Sequence, residues 1–446
     1  MDSLEKRANL ANTSAEDGSA AAQGTASLDR REFLGLAAAG LAAAGLGAVA
    51  LGLEACKSPQ SIAASDWVNV GVIGVGSRAQ HMMQMLLRVP GVRITGLCDI
   101  YPPRLDEGRK VTGQQTTGYA DYRKMLEAKD VDAVMVSTPL GLHAEHVIAS
   151  LESGRPVYGE KSMGRTLDDC NRIREAARRT GKMLQVGLQY TYAPWYVEAL
   201  NQIRKGNIGQ VTQVNSYWHR NNNWRRPVPK GASADLEHLL NWRLYKQWSG
   251  GLFAELGSHQ INFANTIFGA MPESVMASGG IDFWKDGREI EDNVHAILRY
   301  PGGQTLQGSF ITTNRLEGAQ ERIYGTGGSI ELTHTDATYY AEPWYPGSAI
   351  PPEIQIQHKL VTGPTYSAEQ PYHGKGKMPI QGSASDADLA SVGAFVDCIR
   401  NHKRPLADEN AGWSQSVTVA LCNRAMKLGS KLTLQEFLAS ENPAEV

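Results

Sequence analysis

Val68-Asn69-Val70-Gly71-Val72-Ile73-Gly74-Val75-Gly76-Ser77-Arg78-Ala79 decides how the rest of this chain is read. The apolar, β-branched run Val68–Ile73 reads as a buried strand, and Ser77–Leu87 opens as a helix. Between them, Gly74, Gly76 and Ala79 fit the pattern G-x-G-x-x-G/A. In that pattern Gly74 permits the tight turn, Gly76 lets a pyrophosphate approach the backbone, and Ala79 keeps helix and strand close. Ser77 and Arg78 lie in the first helical turn, where free N–H groups and the helix dipole favour an anion. Glycine turns also join ordinary strands and helices, so the turn alone leaves both readings open.

The next strand separates them. Residues 92–98 are followed by Asp99, 20 positions past Ala79. There a carboxylate takes hydrogen bonds from the adenosine ribose hydroxyls. Ile100-Tyr101-Pro102 follows, with no Arg or Lys, and the carboxylate would repel a 2′-phosphate. The pair therefore predicts NAD rather than NADP.

From 67 to 187 strands and helices alternate, which predicts a parallel doubly wound sheet and a Rossmann dinucleotide-binding domain. From 188 to 446 the pattern changes to longer alternating runs at 211–218, 293–300, 304–312 and 322–333, the mark of an open, largely antiparallel sheet. The predicted fold class is thus α/β, with a second α/β domain for substrate binding or oligomerisation. Its last helices, at 387–401 and 412–428, are expected to pack back on the first domain. The Pro-, Gly- and Tyr-rich stretch 339–383 reads as a long excursion.

At 446 residues with net charge −2, the chain has no basic surplus to imply nucleic acid. Its five cysteines include no C-x-x-C pair and no zinc spacing, so no metal site is predicted. Residues 1–56 read as a leader. Arg30-Arg31 precedes a weakly apolar Ala/Gly-rich run at 35–53, the form of a twin-arginine export signal, which predicts a periplasmic or membrane-anchored protein handled by that machinery. A spanning helix is the alternative, although such helices carry more Leu, Ile and Val. Leu53-Glu54-Ala55-Cys56 resembles a lipoprotein cleavage box with an unusual Glu54, and 57–66 reads as a linker.

Ligands in open parallel sheets bind beyond the carboxyl ends of the strands. Thr138-Pro139 with His143, Glu160-Lys161 and Gln189-Tyr190 lie at such ends. Lys161, leaving a buried strand directly, is suited to donate to a substrate hydroxyl and to the nicotinamide ribose; a solvated loop lysine is the plainer alternative. Further on, Glu255, Ser258, His259 and Asn262 fall at i, i+3, i+4 and i+7, predicting one polar stripe on an otherwise apolar helix. A satisfied core histidine is the competing explanation for His259. Arg220, Trp224, Trp242 and Arg243 mix aromatics with fork-shaped donors, which suits sugar rings and hydroxyls, as it also suits loops pinned by arginine.

Taken in order, the fingerprint, the acid, S-T-P-x-x-x-H, E-K, G-G-x-x-x-E-x-G-x-H and the G-T-x-G-x-I-E-L of 325–332 resemble the Gfo/Idh/MocA family over about 67–430. That family is named for glucose–fructose oxidoreductase, inositol dehydrogenase and a rhizopine-catabolism protein. The resemblance implies NAD-dependent hydride transfer at a hydroxyl carbon of a sugar or polyol. It makes Lys161 the active-site lysine and His259 the proton-transferring histidine, with Glu255 in place of the usual aspartate. It also implies a homo-oligomer. The chain departs from the family where E-K-P becomes Glu160-Lys161-Ser162, where Tyr190 replaces a common arginine, and where Asn262 replaces an acid. Two enzyme readings follow: a dehydrogenase whose His259 is oriented by Glu255, and an NAD-dependent glycosidase of the N-acetylgalactosaminidase kind. The glycosidases typically show E-V-P and lack this E-x-x-x-H, which favours the dehydrogenase. A non-enzymatic cofactor-binding partner is a third reading, disfavoured by the intact Lys161, Glu255 and His259.

Overall fold

The structure is a computed structural model and describes residues 66–113, 116–341, 377–381 and 384–440, all within one compact unit. The leader features, Arg30-Arg31, the apolar run and Cys56, lie outside the described residues. Among the described residues no helix is long and apolar enough to cross a membrane.

Six short strands form the first sheet: β1 (Val68–Ile73), β2 (Val92–Cys98), β3 (Thr117–Tyr119), β4 (Ala133–Val136), β5 (Val157–Glu160) and β6 (Leu184–Gly187). All pair in parallel in the order β3-β2-β1-β4-β5-β6. Strands β4, β5 and β6 are buried along their whole length, as a sheet covered on both faces requires. Helices α1 (Ser77–Leu87), α2 (Pro102–Thr112), α3 (Tyr122–Leu126), α4 (His143–Glu152) and α5 (Leu167–Thr180) make the connections. Thr166 and Asp169 close a capping box at the start of α5, as their spacing predicts. Strand order reverses between β1 and β4. This opens a crevice where Gly74 meets Ser137, the place where ligands enter such folds.

The second half begins with α6 (Pro194–Arg204) and β7 (Val211–His219), then α7 (Ala234–Leu240), α8 (Gly251–Glu255) and α9 (Ser258–Phe268). Strands β8 (Ser274–Gly280), β9 (Asn293–Arg299), β10 (Thr305–Ile311), β11 (Ala319–Gly325), β12 (Gly328–Leu332), β13 (Asp336–Ala341) and β14 (Lys377–Gln381) follow. Then come α10 (Ala384–Arg400), α11 (Glu409–Leu428), β15 (Leu432–Thr433) and α12 (Leu434–Leu438). The sheet order is β14-β13-β12-β11-β7-β10-β9-β8-β15, antiparallel except for the parallel pair β7–β10. The predicted α/β class with a second, largely antiparallel sheet is therefore what the chain forms.

Several details differ from the sequence reading; the stretch 339–383, read as an excursion, carries the end of β13 and all of β14, and residues 342–376 lie outside the described residues. The run 322–333 is not one strand but the hairpin β11–β12, turning at Thr326-Gly327. Gly325, at the end of β11, lets the Ile208 carbonyl approach closely, since a Cβ there would collide with it. The polar stripe on a single helix is also corrected: Leu256 and Gly257 interrupt it between α8 and α9. Ser258 Oγ donates to the Ala254 carbonyl at 2.5 Å, and Lys161 Nζ takes the Ala254 and Glu255 carbonyls, so the ordinary helical partners of those groups are displaced. Gly257 packs at the break, with a Cβ there 2.9 Å from the Phe253 carbonyl oxygen and 3.0 Å from the Phe310 ring.

Helix α10 returns to the first sheet. Val392, Phe395 and Val396 complete an apolar cluster with Val70, Val72, Met82 and Leu86, and Tyr158 Oη meets Ser391 Oγ at 3.2 Å. Cys98, Cys170, Cys398 and Cys422 are buried free thiols.

Candidate active site

A cleft of about 300 Å³ runs between the two halves at the crevice. Its floor is the fingerprint turn. Gly74 has φ +83, and a Cβ there would lie 2.8 Å from the Ser137 carbonyl oxygen, so both conformation and space require glycine. A Cβ on Gly76 meets nothing within 4 Å and would project into open space. No side chain caps α1, no acid occupies its first turn, and Ala79 is fully buried behind it. Ser137 Oγ, also lining the cleft, is buried with no partner among the described residues.

Asp99 lines the same cleft and accepts from the N–H groups of Val75 at 2.8 Å and Tyr101 at 2.9 Å. Burial raises its pKa, against those two hydrogen bonds. Each carboxylate oxygen keeps lone pairs for further donors. Thr138, Pro139 and His143 form one side. The His143 ring lies between the carbonyl oxygens of Ser162, at 2.8 Å, and Thr138, at 3.0 Å, and burial pushes its pKa down. A neutral ring carries one N–H, so His143 donates to one of these two strand-end loops and abuts the other.

Arg78 and Glu160 line the cleft but are already paired. The Arg78 guanidinium contacts Glu160 at 2.8 Å and, from the other side, Asp388 of α10 at 2.9 Å. Lys161 follows, and the Lys161–Ser162 peptide bond is cis although no proline is present. Its Nζ donates to the carbonyls of Ala254 at 3.0 Å and Glu255 at 2.9 Å, which leaves the third N–H for a ligand. Burial lowers the Lys161 pKa, opposed by Glu255.

The opposite wall belongs to the second half: Arg226, Leu239, Leu240, Trp242, Arg243 and Glu255. Arg243 lies over the Trp242 ring at 4.2 Å and binds the Glu255 carboxylate at 2.7 Å. Burial opposes ionisation of Glu255, but Arg243 and Lys161 outweigh it and hold the carboxyl below its usual range. Glu255 therefore does not orient His259, as the sequence reading had it: its carboxylate is turned to Arg243 because the helix breaks before Ser258.

His259, Gln189, Tyr190, Arg220, Trp224 and Asn262 lie outside the lining of this cleft. His259 is buried beside Tyr190, ring centroids 4.4 Å apart, and its Nδ1 has no partner among the described residues. Burial, then the positive charges of Lys161 and Arg78, drive its pKa well below 6.5. Tyr190 stacks on Trp218 and its hydroxyl meets His334 Nδ1 at 2.7 Å. The exposed Arg220 guanidinium lies 5.3 Å over Trp218. Gln189 Oε1 is buried without a partner among the described residues, Asn262 donates to Thr191 Oγ1 at 3.1 Å, and Trp224 adopts φ +60 in the loop after β7. Sequence reasoning missed His334 and Arg104, and took Arg226 only as part of a sugar-facing stretch, not as a residue of this cleft. The first lies in the turn after β12, and the last two reach the cleft from a helix and a loop with no periodic signal.

Residues 68–188 match the family model described as "Oxidoreductase family, NAD-binding Rossmann fold", and residues 201–434 match "Oxidoreductase family, C-terminal alpha/beta domain". The chain belongs to the Gfo/Idh/MocA oxidoreductase family. Its glycine turn, uncapped helix and orphaned Ser137 hydroxyl fit the dinucleotide that the first family domain binds. Among relatives in the Gfo/Idh/MocA family, inositol 2-dehydrogenase of Salmonella typhimurium is 31% identical over 149 residues, covering 33% of this chain and 44% of that protein. The match thus spans less than half the length of that relative. A glycosyl hydrolase family 109 protein of Shewanella pealeana is 32% identical over 154 residues, 33% of this chain and 34% of that one. A levoglucosan dehydrogenase structure, in complex with NADH and levoglucosan, shares the fold with a TM-score of 0.66 and 18% identity, covering 82% of this chain and 99% of that one.

Proposed function

We propose that this chain is an exported NAD-dependent oxidoreductase acting on a ring hydroxyl of a sugar, glycoside or polyol. The observation that carries it is Lys161. Its ammonium is fixed by two carbonyls and has one donor left, in the same cleft as Gly76 and Asp99. Bound NAD supplies a hydride acceptor at its nicotinamide ring. Lys161 donates to the substrate oxygen and stabilises the alkoxide that develops there. His259, kept neutral with an unpartnered Nδ1, receives the hydroxyl proton. Glu255 holds Arg243 and offsets the charge of Lys161. Trp242 supplies a sugar-facing surface on the cleft wall, while Tyr190, Arg220 and Asn262 lie beyond that lining. The likeness to inositol 2-dehydrogenase supports a polyol or sugar alcohol carbon as the point of attack.

The decisive experiment combines NAD titration with a panel of cyclic polyols and simple glycosides. His259→Ala should lower turnover by roughly 10²–10⁴ with NAD affinity kept. Near-normal rates would move proton transfer elsewhere.

The likeness to a glycosyl hydrolase family 109 protein favours one second reading, redox-neutral cleavage of a glycosidic bond. A glycoside incubated in heavy water with a keto-sugar acceptor should be oxidised with its bond intact. Release of free aglycone together with a sugar carrying deuterium at C2, with no keto product accumulating, would establish the glycosidase instead.

Export by the twin-arginine machinery, tight retention of NAD and homo-oligomer assembly complete the proposal. Replacing Arg30 and Arg31 by Lys should leave precursor in the cytoplasm, and normal processing of that variant would refute the route.

A further inference from the structure

Arg225 and Arg226 are neighbours with opposite fates. Arg225 is neutralised, with Glu237 at 2.6 Å and Asp286 at 3.4 Å, and it also donates to the Asp286 carbonyl. This pins the loop after β7 to the second half. The Asn241 side chain then fixes Arg226 through its backbone, accepting from the N–H at 2.6 Å and donating to the carbonyl at 3.2 Å. The Arg226 side chain crosses the cleft and donates from Nη2 to Ser77 Oγ at 2.9 Å. Among the described residues it pairs with no carboxylate.

That placement is electrostatically unfavourable as it stands. Ser77 is the first residue of α1, whose N-terminus carries the positive end of the dipole, and no acid lies in that first turn. Arg104 and Arg243 line the same cleft but are balanced by Glu107 and Glu255. Burial, with Arg243 and Arg104 nearby, disfavours the charged form of Arg226. An anion between Arg226 and the α1 N-terminus relieves both conflicts at once. Gly76 leaves open space at that point.

We propose that Arg226, reaching over from the second half, binds the dinucleotide pyrophosphate from above while the fingerprint turn holds it from below. The inference rests on the dinucleotide reading of the cleft. It makes Arg226 a clamp whose loss speeds cofactor release. The guanidinium is already positioned by Arg225 and Asn241, so little ordering opposes binding.

The test is equilibrium binding to the cofactor-stripped full chain, using adenosine, ADP-ribose, NAD and 2′-phospho-ADP-ribose. Arg226→Gln should weaken ADP-ribose and NAD by roughly tenfold to a hundredfold, the usual worth of a charge-assisted hydrogen bond. Adenosine affinity and ligand-free melting temperature should stay unchanged, and NAD should dissociate faster. Arg226→Lys, which keeps the charge without the fork, should recover part of the loss. Unchanged ADP-ribose affinity in Arg226→Gln overturns the proposal. So does a loss confined to the 2′-phosphorylated ligand, which would place Arg226 at the ribose. Asp99→Ala distinguishes the two levels of failure. If it weakens adenosine while Arg226→Gln changes nothing, the clamp alone is wrong; if neither variant affects any ligand, the dinucleotide reading falls with it.

Discussion

Lys161 has three N–H groups and commits two of them to the ends of a broken helix. That geometry separates orientation from chemistry, because the carbonyls fix the ammonium whether or not a ligand is present. Lys161→Met should therefore reduce turnover by about 10²–10⁴ while NAD affinity changes little, as parallel binding and single-turnover measurements would show. An equal loss in both would mean that the residue holds cofactor rather than stabilising an alkoxide. Glu321 offers a prediction of a different kind. Its carboxyl is buried and accepts a hydrogen bond from the Tyr196 hydroxyl, and burial raises its pKa from 4.5 to about 8. The folded state thus keeps a proton that the unfolded chain has already lost. Its contribution is fully present below pH 4.5 and is lost as pH rises towards 8, with a slope of at most about 1.4 kcal/mol per pH unit. Melting curves between pH 5 and 8 should slope less steeply for Glu321→Gln; an unchanged slope would locate the titration in another group. Asp99 was legible in the sequence because it ends a buried strand 20 residues past Ala79, and Lys161 because it leaves a buried strand directly. Arg226 was not, since its role exists only where a loop meets a helix start 149 residues away.

Elements were legible where one force shaped them. Strands β4, β5 and β6 are covered on both faces, so apolar runs sufficed there, whereas the edge strand β3, Thr-Gly-Tyr and partly exposed, offered no such run; the capping box fixed the start of α5. The stripe from Glu255 to Asn262 misled because periodicity records burial, not continuity. Side-chain donors from Lys161 and Ser258 took the carbonyls that the helix needed. Strand β8 escaped notice because it ends in Ser278-Gly279-Gly280, with no alternation to read. The fingerprint turn can be tested as an element by two neighbouring substitutions. Gly74→Ala forces a side chain to φ +83 and onto the Ser137 carbonyl, so the ligand-free protein should lose about 1–3 kcal/mol of stability. Gly76→Ala meets no protein atom and should leave the ligand-free melting temperature nearly unchanged while weakening NAD binding. Equal destabilisation by both would show that the two glycines serve only the turn.

Across the whole molecule, the first sheet depends on the far end of the chain. Arg78 and His81 of α1 both reach Asp388 of α10, and Phe395 and Val396 pack into the cluster of β1 and α1. Asp388→Asn leaves the Arg78 charge partly uncompensated and should cost about 1–3 kcal/mol, read as a lower denaturation midpoint with or without NAD. No change would mean that Glu160 alone satisfies the arginine. The return of the last helices to the first domain was expected, but not the residues they meet there, because helix periodicity names a face and not the side chains that cover it. The distance along the chain has a consequence for synthesis. Arg78 and Asp388 are 310 residues apart, so the nascent dinucleotide domain waits about 15–60 s on the ribosome for the helix that covers it. During that interval its apolar patch is open to holdase chaperones, and NAD meets an unfinished pocket. Cofactor loading is then an event that follows the synthesis of α10 rather than one that accompanies the first domain.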